Sequence, residues 1–338
     1  MSMDRREFSM TLALASAAGL VRPRALFGSG QQATVFDWRQ INDAMHVAFG
    51  AGGNVLAVAG GGNTLLIDTK NAGYGQVLRQ EAEAFGGPLT QVVNTHHHGD
   101  HIGGNPFFTA EMPVYGQSRG PARAADGGEG TLLAIQEDPV GRLERMSMQV
   151  RNMDIADAAK TAGSESVAAF VAMAGSMQAA AFSATETFDT EHELTAGDIR
   201  VELRHIDRGH TDNDVFVYIP QANVIHGGDL FFNGLHPFID TGADATTMGW
   251  QRCLDAMIAA ANNDTVCIPG HGEISDVAGL RAFHGYFDTL RAFVQREIDA
   301  GRSRDQITEM QPPEFRDWST NRLSDNLGVV YDELTSGR

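Results

Sequence analysis

Short apolar runs, rich in β-branched residues and punctuated by Gly and Asn, open the body of the chain: MHVAF (45–49), NVLAVAG (54–60), NTLLIDT (63–69) and QVVNT (91–95). Runs of this length bounded by turn residues predict strands joined by tight turns. Between Thr69 and Gly87 the period changes, and NAGYGQVLRQEAEAFG predicts a helix ending at Gly86. A second round runs from TETFDTEHELTAGDIRVELRHI (185–206) through DVFVYIP (214–220) and NVIHGG (223–228) to TVCIPGHG (265–272). Between the rounds, residues 117–184 are rich in Ala, Met, Gly and charged residues, and SESVAAFVAMAGSMQAAAF (164–182) predicts helix. Met173 and Met177 share a helical face there, which suits either core packing or a flexible lid. After Gly272, the residues Leu280, Phe283, Phe287, Leu290, Val294 and Ile298 recur at helical spacing, one apolar face of a long amphipathic helix. Two rounds of strands with interleaved helices predict an α/β protein.

A chain of 338 residues with ordinary apolar content can bury a full core, as one large domain or two small ones. Its formal charge of −18 argues against a nucleic-acid partner, whose phosphates demand a surplus of Lys and Arg. The expected partner is a small-molecule substrate.

Residues 1–30 read as a targeting segment: a charged start, an Ala/Leu-rich stretch from Thr11 to Val21, and a basic flank. That stretch is too short to span a hydrocarbon layer, which takes roughly 18 or more apolar residues. Arg5-Arg6 followed by Glu7-Phe8 resembles the twin-arginine export signal, with Asp4 in place of the usual Ser or Thr. The resemblance implies export of the folded protein by the twin-arginine machinery to the bacterial periplasm or beyond, with no stable membrane insertion afterwards. Cys253 and Cys267 fall in predicted core elements and form no C-x-x-C pattern. Free buried thiols follow, although an oxidising compartment would permit a bridge.

The stretch NTHHHGDHIGGN (94–105) carries the densest chemistry. Where the strand QVVNT ends, His96 and His98 stand two positions apart and can project to the same side to grip one cation, with His97 facing away. Gly99 would let the chain turn sharply, so that Asp100 and His101 reach a second cation, and Gly103 and Gly104 would let backbone pass close by. Imidazole nitrogen and carboxylate oxygen without thiolate suit zinc or iron. Three later segments offer matching donors: GHTDND with His210 in a loop before a strand, VIHGGDLFF with Asp229 just beyond one, and CIPGHGE with His271 at the exit of another.

Taken in order, these segments resemble the metallo-β-lactamase-fold superfamily, whose hallmark is H-x-H-x-D-H, a distant His, an Asp after Gly, and a final His between glycines. The resemblance covers roughly residues 35–300. It implies a four-layer αββα sandwich over residues 31–300, with a helical insert at about 117–184 and a C-terminal extension, 301–338, packed on it. It also implies two divalent metal ions, zinc before iron or manganese. His96, His98 and His210 would hold one ion, Asp100, His101 and His271 the other, and Asp229 would bridge them. The implied activity is hydrolysis: a metal-bridging hydroxide attacks an ester, thioester, lactone or related carbonyl, with Asp100 orienting it and ferrying a proton to the leaving group. Alternatives are β-lactam hydrolysis, a mononuclear iron persulfide dioxygenase and a noncatalytic metal-binding module. True metallo-β-lactamases carry Cys or Ser where this chain has Asp229, which favours the thioesterase, lactonase and esterase branches.

Asp68, ending the strand NTLLID, resembles the Asp that braces the metal loop in this superfamily. Asn233, His236 and Asp240 follow Asp229 closely enough to line a substrate pocket. His46, His192, His205, His226 and His284 read as structural.

Overall fold

The computed structural model describes residues 33–336, and the export signal expected over residues 1–30 lies outside them. The chain divides into two compact units: the first extends to Thr187 and takes in Ala196–Asp198, and the second comprises Phe188–Thr195 and the chain from Ile199 onward.

The first unit is built on a seven-stranded sheet whose strands follow chain order: β1 (Asp37–Asn42), β2 (Met45–Phe49), β3 (Val55–Gly60), β4 (Asn63–Ile67), β5 (Leu89–Val93), β6 (Val114–Gln117) and β7 (Glu186–Phe188). Strands β1 to β4 pair antiparallel. Gly61 and Gly62, with φ of 61° and 79°, make the tight turn between β3 and β4, a conformation that a side chain would resist. From β4 to β6 the pairing is parallel, and a parallel pair needs a crossover. Helix α1 (Gly75–Gly86) supplies it, burying Val77, Leu78 and Ala82.

The predicted insert folds as α3 (Gly120–Glu137), α4 (Pro139–Arg151) and α5 (Asp157–Ala174), following a single-turn α2 (Gly99–Ile102). Leu132, Ile135, Val150, Val167 and Phe170 of these helices join the same buried cluster as Val77 and Leu66. Ser166 donates from Oγ to the carbonyl of Gly73 at 2.6 Å and fastens α5 beside α1. These helices are therefore part of the core. Met177 packs against that cluster, whereas Met173 stays 36% exposed.

The second unit has a five-stranded sheet in the order β12-β11-β10-β9-β8, comprising β8 (Glu191–Ala196), β9 (Ile199–Arg204), β10 (Phe216–Ile219), β11 (Val224–His226) and β12 (Val266–Ile268). β11 and β12 run parallel, and α6 (Thr247–Ala260) makes their crossover. The long amphipathic helix is α7 (Val277–Asp299), with Leu280, Phe283, Phe287, Leu290 and Val294 buried as their spacing predicts. Beyond it lie α8 (Arg304–Thr308) and α9 (Leu323–Ser336). Phe315, Leu323, Leu327 and Val330 sit in one buried cluster with Trp250 and Phe283, so the C-terminal extension shares the core of this unit. Glu333 reinforces the join, accepting from the amide of Thr247 at 2.8 Å and from Arg291 at 2.7 Å.

Cys253 and Cys267 are buried free thiols, and burial pushes Cys267 up to about 12. Among the described residues, no helix is long and apolar enough to cross a membrane.

Candidate metal centre

In the first unit the chain leaves β5 and places His96 and His98 with ring centroids 4.7 Å apart. The next turn is α2, which returns His101 to within 4.3 Å of His96, centroid to centroid. Asp100 lies beside it, Oδ2 3.7 Å from Nε2 of His101, and keeps 14% of its side chain exposed where His101 has none. His97 is half-buried, its ring 4.7 Å from that of His98. One local expectation needs correction. Gly99 begins a helical turn, and a Cβ there would meet nothing within 4 Å, so the turn does not depend on glycine. Gly103 and Gly104 do depend on it: a Cβ would lie 2.1 Å from the amide of Ala72 or 2.3 Å from the carbonyl of Thr69.

Asp68 organises these ligands from below. Its carboxylate accepts from the amide of Thr95 at 2.8 Å, from Thr95 Oγ1 at 2.8 Å, and faces Nδ1 of His101 at 2.7 Å. An ionised carboxylate only accepts, so His101 carries its proton on Nδ1 and leaves the Nε2 lone pair for a cation. Thr95 has spent its hydroxyl proton on Asp68, so at 3.1 Å it accepts from Nδ1 of His96, which again leaves Nε2 as the ligand atom. A single Asp thus orients two imidazoles, one directly and one through Thr95.

Nearby stand two features that sequence reasoning missed. Gly53, in the loop between β2 and β3, lies so close to His101 that a Cβ would fall 2.1 Å from its ring. Lys70 is fully buried and donates to the carbonyls of Ala48 and Gly53, each at 2.7 Å. Burial pulls its ammonium down to about 7, against the opposing pull of Asp68, Asp100 and Glu81. A lone Lys in a turn offers no pattern from which this could be read.

In the second unit, His210, Asp229 and His271 leave or precede strands β10, β11 and β12. The Asp229 carboxylate shows Oδ2 to Nε2 of His210 at 3.4 Å and Oδ1 to Nε2 of His271 at 3.5 Å. Nδ1 of His210 donates to the carbonyl of Phe238 at 2.7 Å, so the lone pair of this ring is on Nε2, the atom turned toward Asp229. Gly270 makes room: a Cβ there would lie 2.0 Å from Oδ1 of Asp229. The ring of His271 stacks on Phe232 at 5.4 Å, and Trp250, edge-on to His210, donates from Nε1 to the carbonyl of Leu230 at 2.9 Å.

The three weaker pocket candidates have local partners. Asn233 donates from its side chain to the carbonyl of Glu273, and its amide donates to the carbonyl of His271. His236 is buried, with Nδ1 3.0 Å from the Tyr286 hydroxyl, and burial lowers its pKa. Asp240 caps the short turn Thr241–Ala243, while its amide donates to the carbonyl of His210. Of the histidines read as structural, His226 accepts the amide of Gly228 on Nδ1 and His205 donates to the carbonyl of Asp214. Asp214, missed in the sequence, holds the His210 loop through the amides of Gly209 and Thr211 and the Thr211 hydroxyl, and burial pushes its carboxyl up to about 8.

His96, His98, Asp100 and His101 of the first unit, and His210, Asp229 and His271 of the second, are all side chains able to hold a metal ion. Ligand atoms about 2.0–2.1 Å from one tetrahedral zinc lie roughly 3.3–3.4 Å apart. The two Asp229 separations have that size and exceed ordinary N–H···O bonds. The nitrogen-oxygen donor set, the oriented tautomers and the space kept at Gly53 and Gly270 fit metal binding.

Comparison with known proteins agrees with this chemistry. The sequence profile of the metallo-beta-lactamase superfamily matches residues 49–271. Metallo-beta-lactamase type 2 of Bacillus cereus is 29% identical over 83 residues, 25% of this chain and 32% of that protein. Hydroxyacylglutathione hydrolase of Maricaulis maris (strain MCS10) is 35% identical over 80 residues, 22% of this chain and 30% of that protein. The chain thus matches about a third of the length of these relatives. Among solved structures, the DIM-1 metallo-beta-lactamase has a TM-score of 0.52 at 18% identity, covering 76% of this chain and 99% of its own. A metallo-beta-lactamase from Pontibacter korlensis has a TM-score of 0.53 at 17% identity, covering 75% and 99%. At such identities the likeness is one of fold.

Proposed function

Since this chain belongs to the metallo-beta-lactamase superfamily, we propose that it is a metal-dependent hydrolase with two divalent ions, zinc by preference. By the family's pattern, His96, His98 and His210 would hold one ion, Asp100, His101 and His271 the other, and Asp229 would serve both. The observation that carries this reading is the Asp229 carboxylate, which offers one oxygen to His210 and the other to His271 at ligand-like separations.

When bound, such ions acidify a coordinated water from pKa 15.7 to about 7 and polarise the carbonyl under attack. The protein's own residues do the rest. Asp68 and Thr95 engage Nδ1 of His101 and His96, which fixes both rings in direction and leaves Nε2 as the ligand atom. Asp100, the carboxylate with partial access to solvent, accepts a proton at Oδ and returns it to the leaving group.

The substrate class we favour is an ester, thioester or lactone. Two things support it: a carboxylate at position 229 where β-lactamases use Cys or Ser, and a relative named hydroxyacylglutathione hydrolase beside those named metallo-beta-lactamase. The twin-arginine-like Arg5-Arg6 supports export, hence work in the periplasm or outside the cell.

The test joins elemental analysis to a panel of lactones, thioesters, esters, phosphodiesters and β-lactams. Two zinc ions per chain with turnover of a carbonyl substrate, abolished in a folded Asp100→Ala variant, is the expected result. One iron with oxygen consumption, or full turnover by Asp100→Ala, would overturn it.

A further inference from the structure

We propose that Lys70 is a positioning residue: its ammonium clamps the β2–β3 loop so that Gly53 seats the imidazole of His101. The proposal rests on the reading of His101 as a metal ligand.

Lys70 lies two residues beyond Asp68, and both take φ of 68°, left-handed values that non-glycine residues seldom adopt. Thr69 between them donates from its amide and its hydroxyl to the carbonyl of His101, at 2.6 and 3.0 Å. The three consecutive residues 68–70 therefore all turn toward the ligand loop or its neighbour. Such concentrated backbone strain persists only where the surroundings over-determine it.

The side chain of Lys70 is 0% exposed. Its partners are the carbonyls of Ala48 and Gly53 and, 5.4 Å away, the ring of Phe36, and none of these is a carboxylate. Asp68, Asp100 and Glu81 favour this cation by charge without hydrogen-bonding it, so burying it is costly and its direct bonds go to neutral carbonyls. What the ammonium adds is directional: its two carbonyls stand at opposite ends of the loop 49–52, which it closes like a staple.

Apart from Ala51, which packs against the buried cluster of the first unit, that loop is held by a few polar contacts. Gly50, Ala51 and Gly52 all have positive φ, of 93°, 53° and 126°. Its remaining anchors lead back to the ligand loop and to the residue after Lys70: the amide of Gly53 donates to the carbonyl of Asp100 at 3.1 Å, and the amide of Asn71 to that of Ala51 at 3.1 Å. Gly53 then closes over the His101 ring, where a Cβ would fall 2.1 Å from Cε1 and 2.4 Å from Nε2. His101 is thus held from two sides, by Asp68 at Nδ1 and by Gly53 against the ring face, and Lys70 sets the second.

The test uses the full chain with Lys70→Met, which keeps the aliphatic stem and removes the donors. In the metal-free protein, ring ¹⁵N and ¹H resonances of His101 should move and broaden while those of His284, on α7 in the second unit, stay in place. Cobalt(II) or zinc(II) affinity should fall about 10-fold or more, the size expected when a ligand's supporting contact is lost. A folded Lys70→Met with unmoved His101 resonances and unchanged metal affinity would overturn the proposal. If that variant does not fold, Lys70→Gln decides: it keeps a donor but is too short to span both carbonyls, so it should displace the same His101 resonances, and their staying in place would overturn the proposal. Since the ring signals are read without metal or substrate, they report on Lys70 whether or not the chain proves to be a hydrolase.

Discussion

Asp68 Oδ2 lies 2.7 Å from Nδ1 of His101, and both side chains are wholly buried. The pair fixes the tautomer of His101 and, through Thr95, that of His96. Replacing Asp68 by Asn keeps the shape but sets an amide N–H₂ against donors that need an acceptor. Asp68→Asn should lower zinc affinity by about 10- to 100-fold, measured by competition with a chromophoric chelator. Wild-type affinity in a folded Asp68→Asn would show that the two imidazoles are oriented by something else.

Gly270 provides a steric counterpart in the second unit. A methyl group there would lie 2.0 Å from Oδ1 of Asp229 and 2.7 Å from the carbonyl of Gly228. Neither atom can yield easily, because the amide of Gly270 itself donates to that carbonyl at 2.7 Å. Gly270→Ala should therefore reduce metal stoichiometry after dialysis and depress turnover, and elemental analysis of the purified variant checks it. Full metal loading would show that Asp229 can shift without loss.

How much of this was legible beforehand follows from where the information lies. The strands, α1 and α7 could be read because apolar spacing and Gly punctuation are local signals, as Leu280, Phe283 and Phe287 show. The parts of the ligand set could be read from a resemblance spread over five short segments. Lys70, Asp214 and Thr95 could not, because their roles come from what the fold brings to them: two carbonyls for Lys70, a loop of amides for Asp214, an Asp 27 residues away for Thr95. Gly99 shows the opposite error, a glycine whose neighbourhood suggested a turn that a helical residue makes without strain.

The C-terminal residues carry a prediction about stability. Leu327 on α9 is fully buried in the cluster that contains Phe283 and Trp250. If residues beyond 300 are structural core, Leu327→Ala should cost about 2–5 kcal/mol, the range for a buried Leu losing its side chain to a cavity. Urea unfolding followed by circular dichroism measures this. A change within ~0.5 kcal/mol, typical of a surface position, would mean that α9 can leave without disturbing the unit.

Asp214 makes stability depend on pH. Burial is the largest cause of its rise from 3.8 to about 8, and the charge of Asp229 adds to it, against the hydrogen bonds from Thr211 and Gly209. The folded protein thus keeps a proton that the unfolded chain releases above 3.8. Where the native state binds more protons, stability falls as pH rises, so this group's contribution is complete below pH 4 and declines until the folded carboxyl ionises near pH 8. The slope reaches at most about 1.4 kcal/mol per pH unit. An Asn amide can donate to Thr211 Oγ1 and accept from the two amides, so Asp214→Asn should fold at neutral pH and lack this slope. Urea unfolding of metal-free wild type and variant, compared between pH 5 and 8, should show the variant gaining relative stability as pH rises. Parallel profiles would mean that Asp214 is ionised in the folded protein throughout that range.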